Sequence, residues 1–167
     1  MKTISVSYLE KAILGKKVLI DTNVIIYLTD KVAPYEVLSR RLFEMIENGD
    51  VTAVISIISV GEVMQGPLRK GFDQAAVEVK DYLFNFPNLF CEELNSSILD
   101  IIGNDKRISW SKVRTIDSLI IAAALKNNVN KIISNDNHFK QALPKELLIS
   151  FEKKILREKK AKRIVKK

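Results

Sequence analysis

The sequence carries very little sulfur or imidazole chemistry. Its 167 residues include one cysteine, Cys91, and one histidine, His138. A lone cysteine forms no intramolecular disulfide and no thiolate cluster for zinc, so we expect Cys91 to be a small, partly buried apolar residue. A single histidine also excludes catalysis by a histidine pair that acts as general acid and base. We expect neither redox chemistry nor a zinc-thiolate site.

Long hydrophobic runs are also missing. No apolar stretch reaches the roughly 18 residues that a membrane-spanning helix needs, and the first residues lack the order of a secretory signal. We therefore expect a cytoplasmic protein with no membrane segment. The hydrophobic content of 47% is enough for an ordinary core, and this chain length favours one compact domain.

The charge balance of the chain divides it in two. The net charge is +7, and residues 152–167 hold nine Lys or Arg and two Glu, which leaves 18 basic and 18 acidic residues in positions 1–151. We predict a folded domain over 1–151, with residues 1–15 as an amphipathic lead, and a basic C-terminal tail over 152–167. The tail could attract phosphate backbones, dock on a partner as a helix, or serve only as a solvated end.

Short apolar runs alternate with amphipathic segments along the domain. This alternation predicts an α/β fold: a three-layer α/β/α domain around a mainly parallel sheet of about four or five strands. The predicted strands are KKVLI, VTAVIS, NLFCEEL, KIIS and LLISF. We predict that the helix SVGEVMQGPL ends at Gly66 and Pro67, and that KRISWSKVR is an irregular connector that buries Trp110. Stacking of Trp110 on an unpaired base is the alternative.

Four acidic residues lie just after predicted strands or in the first turns of the helices that follow. They are Asp21, Glu62, Asp117 and Asp136. Ligands of open parallel sheets bind beyond the carboxyl ends of the strands, so these side chains could face one edge. Each could also be an ordinary helix cap or an exposed helix residue. Together, however, they would repel one another unless a cation neutralised them, and Mg²⁺ or Mn²⁺ prefers such oxygen ligands.

Four motifs in order resemble one known family. They are VLIDTNVII, ISVGEVMQG, RTIDSLIIAAAL and KIISNDNHF. Over roughly residues 16–151 the chain resembles the PIN-domain nucleases, and more narrowly the VapC-like toxins of toxin–antitoxin pairs. The family motif usually has threonine where Ser134 stands, and often an acid where His138 stands. Residues 103–114 match poorly, and these departures bear on the substrate more than on the acids.

The resemblance implies an activity and a site. It implies a cytoplasmic endoribonuclease that depends on Mg²⁺ or Mn²⁺, hydrolyses RNA phosphodiester bonds and leaves a 5′-phosphate and a 3′-hydroxyl. Its acidic quartet falls on the same four residues, as catalytic residues and metal ligands. An antitoxin protein and a homodimer are the implied partners, besides the RNA substrate.

Short polar and basic residues beside the acids complete the predicted site. Thr22, Asn23 and Ser134 are suited to hydrogen bonds that fix carboxylate orientation. Lys112 and Arg114 could hold substrate phosphate or pair with the acids. For His138 we expect a surface position on a short helix, and for Phe139 a place in the core.

Three alternative functions stay open. One is a housekeeping PIN nuclease in RNA processing or decay. Another is a catalytically silent RNA-binding module, for which we would expect a missing acid, although none is missing. The last is aspartyl phosphotransfer with Asp21 as the nucleophile, as in haloacid-dehalogenase-like enzymes. Those enzymes would have a second aspartate two positions on, where this chain has Asn23.

Overall fold

The structure is a computed structural model that describes residues 2–153 of the chain. The greater part of the predicted basic tail, from residue 154 onward, lies outside the described residues. A five-stranded, wholly parallel sheet forms the centre, in the order β3-β2-β1-β4-β5. The strands are β1 Lys17–Ile20, β2 Thr52–Ser56, β3 Leu89–Glu92, β4 Lys131–Ile133 and β5 Leu148–Ile149.

Eight α-helices and one short 3₁₀ turn connect these strands within residues 2–153. The helices are α1 Val6–Ile13, α2 Thr22–Thr29, α3 Glu36–Glu47, α4 Ile57–Arg69, α5 Asp73–Phe84, α6 Ser96–Leu99, α7 Thr115–Lys126 and α8 Asn137–Ala142. The 3₁₀ turn covers Trp110–Lys112, inside the predicted connector. None of these helices is long and apolar enough to cross a membrane.

The sheet separates two hydrophobic cores, which confirms the three-layer arrangement. On β1, Val18 and Ile20 face a core that residues of α1 to α5 share, whereas Leu19 faces a core formed mainly with α7 and α8. Successive side chains of a strand point to opposite faces, so a central strand with helices on both sides must be apolar at every position. This requirement explains why the strands read as continuous apolar runs rather than as alternating ones.

The predicted end of α4 is wrong. The helix continues through Gly66 and Pro67 to Arg69. A proline inside a helix removes one backbone hydrogen bond and usually kinks or breaks the helix. Here Val60 and Val63 of α4 are buried in the core, and α4 packs along α5. Tertiary packing therefore stabilises the helical conformation at Gly66 and Pro67, although both residues favour a helix end locally.

Strand order places β1 between β2 and β4, which are its neighbours on opposite sides. The chain leaves β1 to one side and later returns to pair with its other edge. A ligand crevice forms at such a point, where connections run in opposite directions from adjacent strands. The carboxyl ends of β1 and β4 therefore define the part of the molecule in which to search for a site.

Candidate functional site

Asp21 lies at the carboxyl end of the central strand. Its backbone N–H still donates to the Ile133 carbonyl of β4 at 3.1 Å, and the residue caps α2. Its side chain is only 5% exposed. The strand ladder and the helix start therefore fix the backbone on both sides of this carboxylate.

Both oxygens of the Asp21 carboxylate accept hydrogen bonds. The backbone N–H of Thr22 donates to Oδ1 at 2.8 Å, while the Asn23 amide and the Ser134 hydroxyl each donate to Oδ2 at 2.5 Å. Burial raises the pKa of Asp21 to about 6; hydrogen bonds from Ser134 and Thr22 oppose the rise, and the nearby charges of Asp136 and Glu62 add to it. Negative charge is thus concentrated at a place where water solvates it poorly.

Glu62 reaches the same place from α4. This helix begins at Ile57, directly after β2, and Glu62 lies in its second turn. The Thr22 hydroxyl donates a hydrogen bond to Oε2 of Glu62. Thr22 and Asn23 are consecutive, and they hold two different acids, Glu62 and Asp21 respectively.

Asp117 and Asp136 share a partner, Arg114. Asp117 lies in the first turn of α7 and is 4% exposed. Asp136 follows β4 and caps α8, with Oδ1 accepting from the His138 N–H at 2.6 Å. The Arg114 guanidinium forms ion pairs with Asp117 at 2.7 Å and with Asp136 at 3.3 Å. Of the two predicted roles of Arg114, pairing with the acids is the one that the structure shows.

All four acids line one cavity of about 400 Å³. Thr22, Asn23 and Arg114 also line it, and Ser134 lies behind Asp21. Lys112 is not among the residues that line this cavity; its carbonyl oxygen lies 3.2 Å from Nδ1 of His138. The structure therefore brings together every residue of the predicted site except Lys112.

Four residues of the cavity were missed in the sequence, and one of them is Ile26 of α2. Gln65, Gly66 and Arg69 follow Glu62 along α4 and line the same cavity. They lie three, four and seven positions after Glu62, the spacing of one helix face. This spacing was visible in the sequence, but Arg69 lies beyond the predicted helix end at Gly66 and Pro67. Arg69 makes no ion pair with any residue among 2–153.

Two aromatic predictions outside the cavity can be compared with the structure. Trp110 is partly buried, and its indole N–H donates to the Asp105 carbonyl at 3.0 Å, as expected for burial under the connector. Phe139 is fully buried in the core of α7 and α8. His138 is partly exposed on α8. None of these three side chains lines the acidic cavity.

The chemistry of the donor set fits a hard divalent cation. Four carboxylates supply oxygen ligands, and one of them is buried with a pKa raised in part by the charges of two others. Mg²⁺ and Mn²⁺ prefer this kind of site. Within residues 2–153, however, no group of three or more Asp, Glu, His or Cys side chains is arranged so that it could hold a metal ion as it stands. The oxygens of Asp117, Asp136 and Glu62 instead face the donors of Arg114 and Thr22.

A family model matches most of the chain. The model of the PIN domain matches residues 18–142, a range that includes all four acids. No curated protein sequence is significantly similar to the chain.

Several solved structures share the fold. VapBC2 from Rickettsia felis, bound to a DNA fragment from its promoter, is 18% identical over 81% of this chain and 99% of that chain, with a TM-score of 0.61. DNA-bound VapBC from Salmonella typhimurium is 15% identical over 82% and 99%, with a TM-score of 0.59. VapC20 from Mycobacterium tuberculosis, a Sarcin-Ricin loop cleaving toxin, is 15% identical over 74% and 93%, with a TM-score of 0.55. At these identities the likeness concerns the fold.

Proposed function

Because this chain belongs to the PIN domain family, we propose that it is a metal-dependent endoribonuclease and the toxin of a toxin–antitoxin pair. The observation that carries the proposal is the convergence of Asp21, Glu62, Asp117 and Asp136 on one cavity at the carboxyl ends of β1 and β4. Several carboxylates in one poorly solvated place are costly without a cation. A divalent ion would neutralise this charge and would in turn attract an anionic phosphodiester substrate.

The four acids would hold one or two Mg²⁺ or Mn²⁺ ions. When bound, such an ion lowers the pKa of a water molecule, orients the scissile phosphate and neutralises the charge that develops on it. Asp21 is the proposed central ligand, because both of its oxygens are held in place by neighbouring donors. A ligand that is fixed before binding loses little freedom when the ion arrives.

Neighbouring residues of the chain orient the acids and the substrate. Ser134 and Asn23 fix the Asp21 carboxylate, and Thr22 fixes the Glu62 carboxylate. Glu62 is partly exposed, which suits a residue that orients the attacking water or binds a second ion. The proposed products are a 5′-phosphate and a 3′-hydroxyl, as the family resemblance implies.

The proposed partners are an RNA substrate, an antitoxin protein and a second copy of the chain. Structures of VapBC complexes with the same fold support an antitoxin, and a toxin that cleaves the Sarcin-Ricin loop supports structured RNA as a substrate class. The homodimer rests on the family resemblance alone. A housekeeping role in RNA decay uses the same chemistry and differs only in the absence of an inhibitor.

Asp21 is a weaker candidate for a phosphoryl-accepting nucleophile than for a metal ligand. Enzymes of the haloacid-dehalogenase type would have a second aspartate two positions on, where this chain has Asn23. Here the Asn23 amide instead donates a hydrogen bond to Oδ2 of Asp21 at 2.5 Å. The presence of all four acids likewise favours a catalyst over a silent RNA-binding module.

The first test is an RNA cleavage assay on purified protein without any partner. Labelled single-stranded and structured RNAs are incubated with Mg²⁺, Mn²⁺ or EDTA. We expect cleavage by the wild type that requires metal, and a loss of at least about 100-fold in Asp21→Asn, because an interaction with the reacting centre is removed. Asp50→Asn is the matched control, since Asp50 is exposed in the turn before β2.

The same assay can reject the proposal. Folded wild-type protein that cleaves none of these RNAs would leave the acidic cavity without the proposed activity. Cleavage that persists in EDTA or in Asp21→Asn would point to a different chemistry or to a contaminating nuclease.

A further inference from the structure

Among residues 2–153, Arg114 is the one basic residue whose side chain forms an ion pair with any of the four acids, and it pairs with two of them. Its Nε donates to Asp117 Oδ2 at 2.7 Å, and its Nη2 donates to Asp117 Oδ1 at 3.0 Å. The same Nη2 lies 3.3 Å from Asp136 Oδ2. A planar guanidinium thus binds one carboxylate with two hydrogen bonds and bridges to a second, a geometry in which Arg binds carboxylates strongly.

This contact uses the carboxylate oxygens that a cation would need. Both oxygens of Asp117 accept from the guanidinium, and Oδ2 also accepts from the Arg114 backbone N–H at 3.3 Å. Asp117 is 4% exposed, so water cannot replace these donors easily. A buried carboxylate without a partner is unfavourable, and Arg114 supplies the positive charge that stabilises it.

A guanidinium and a divalent ion would compete for this position. Two positive charges at contact distance from the same carboxylate repel, and they compete for the same lone pairs. Arg114 lies between two of the four acids. The positive charge that faces both Asp117 and Asp136 in this structure is therefore the guanidinium of Arg114.

The Arg114 side chain can move from the acids into solvent without disturbing the hydrophobic core. It is 61% exposed, whereas the side chain of Asp117 is 5% exposed. The residue precedes α7 as its N-cap in an extended conformation, and within residues 2–153 its side chain makes no ion pair apart from those with Asp117 and Asp136. Rotation about side-chain bonds alone would move the guanidinium from the carboxylates to solvent.

We propose that Arg114 is a positioning residue that holds the place of a divalent cation between Asp117 and Asp136, and that metal binding requires its guanidinium to leave. This inference rests on the proposed metal-dependent function and adds a built-in competitor to the metal site. Arg114 keeps the two carboxylates oriented in the metal-free protein and lowers the apparent affinity for the ion. The residue contacts metal ligands, and its role is distinct from that of a catalytic residue.

The test compares Mn²⁺ binding by calorimetry in the wild type, Arg114→Gln and Arg69→Gln. Each variant removes one positive charge from the lining of the same cavity, but Arg69 makes no ion pair with the acids. We expect Arg114→Gln to bind Mn²⁺ about tenfold more tightly than the wild type, the scale of a lost charge-assisted competitor, and Arg69→Gln to change the affinity by less than about threefold. Equal affinities of the two variants, or weaker binding by Arg114→Gln, would overturn the displacement.

Nuclear magnetic resonance gives a second readout, which is made on the wild-type protein. The Nε–H resonance of Arg114, identified by its absence in Arg114→Lys, is followed while Mg²⁺ is added to the wild type. We expect a chemical-shift change and faster exchange with water at saturation, because the donor leaves a buried acceptor. An unchanged resonance at saturating Mg²⁺ would overturn the proposal.

The outcomes also separate this proposal from the proposed function. If the wild type and both variants bind no Mn²⁺, the metal site fails, and the displacement of Arg114 fails with it. If all three proteins bind Mn²⁺ with equal affinity and the wild type cleaves RNA, the metal-dependent function stands and only the displacement fails.

Discussion

At the scale of single residues, the cavity depends on short polar side chains as much as on acids. Ser134 is fully buried, and its hydroxyl donates to Asp21 while accepting from the Asp136 backbone N–H at 3.0 Å. One hydroxyl therefore connects the acid after β1 to the acid after β4. Partners of this kind orient metal ligands and usually matter nearly as much as the ligands themselves.

We predict that Ser134→Ala lowers the apparent affinity for Mn²⁺ and the rate of RNA cleavage by about 10- to 100-fold each, the usual effect of losing such a partner. Ser134→Thr keeps the hydroxyl and serves as the control, with a loss of less than about threefold expected for the retained hydrogen bond. Calorimetry and initial cleavage rates measure the two effects. A Ser134→Ala protein with wild-type values would show that the hydroxyl does not orient Asp21.

At the scale of elements, β3 and the end of α7 are joined by a partly buried ionic contact. Glu92 of β3 accepts hydrogen bonds from Lys126 at 2.6 Å and from Asn127 at 2.8 Å. Burial acts to raise the pKa of Glu92, but these two donors and the charge of Lys126 outweigh it, so the pKa lies below its usual value. This contact fixes the edge strand to the helix whose first turn carries Asp117.

The direction of this pKa shift predicts a pH dependence of stability. A carboxyl whose pKa is lower in the folded than in the unfolded protein contributes stability above the unfolded pKa, near 4.5, and loses it as the pH falls through the folded value. We expect Glu92→Gln to lower the free energy of unfolding by about 1 kcal/mol at pH 7 and by almost nothing at about pH 3.

Urea denaturation at both pH values measures this difference. Glu93→Gln, at the exposed neighbouring position, is the control and is expected to change stability little at either pH. A Glu92→Gln effect of equal size at pH 3 and pH 7 would mean that the contact does not depend on ionisation of Glu92.

At the scale of the whole molecule, the residues that stabilise the fold and the residues of the candidate site occupy different parts of the parallel sheet. Two hydrophobic cores lie on its faces, and the acids lie at its carboxyl edge, outside both cores. The cost of gathering the acids is offset by local donors such as Thr22, Ser134 and Arg114. A cation bound by the proposed site would relieve the remaining repulsion between the acids.

We therefore predict that Mn²⁺ raises the thermal stability of the whole domain. At a free concentration of about 100 times its dissociation constant, an ion that binds only the folded state adds about 2.7 kcal/mol to the free energy of unfolding. Thermal unfolding with and without EDTA measures this effect, and we expect Asp21→Asn to lose most of it. Equal melting temperatures of the wild type with and without saturating Mn²⁺ would argue against a metal site in the folded protein.

Much of the fold could be predicted because periodicity reports burial directly. The continuous apolar runs of β1, β2 and β4 predicted a sheet with helices on both faces, and the structure confirms it. The error at the end of α4 arose where tertiary packing outweighed the local preferences of Gly66 and Pro67. Because of that error, Arg69 was not recognised as a residue of the cavity.

The sequence by itself determined the fold class and the family, because both depend on local patterns: apolar periodicity, and motifs in a fixed order. It also identified the four acids and the short polar residues that hydrogen-bond to them, and it left two roles open for Arg114. Only the tertiary structure decided that Arg114 pairs with Asp117 and Asp136, that Lys112 lies outside the cavity and that Arg69 lines it. These facts depend on how β1, β4, α4 and α7 pack in three dimensions, and contacts between segments far apart in the chain leave no periodic signal in any one of them.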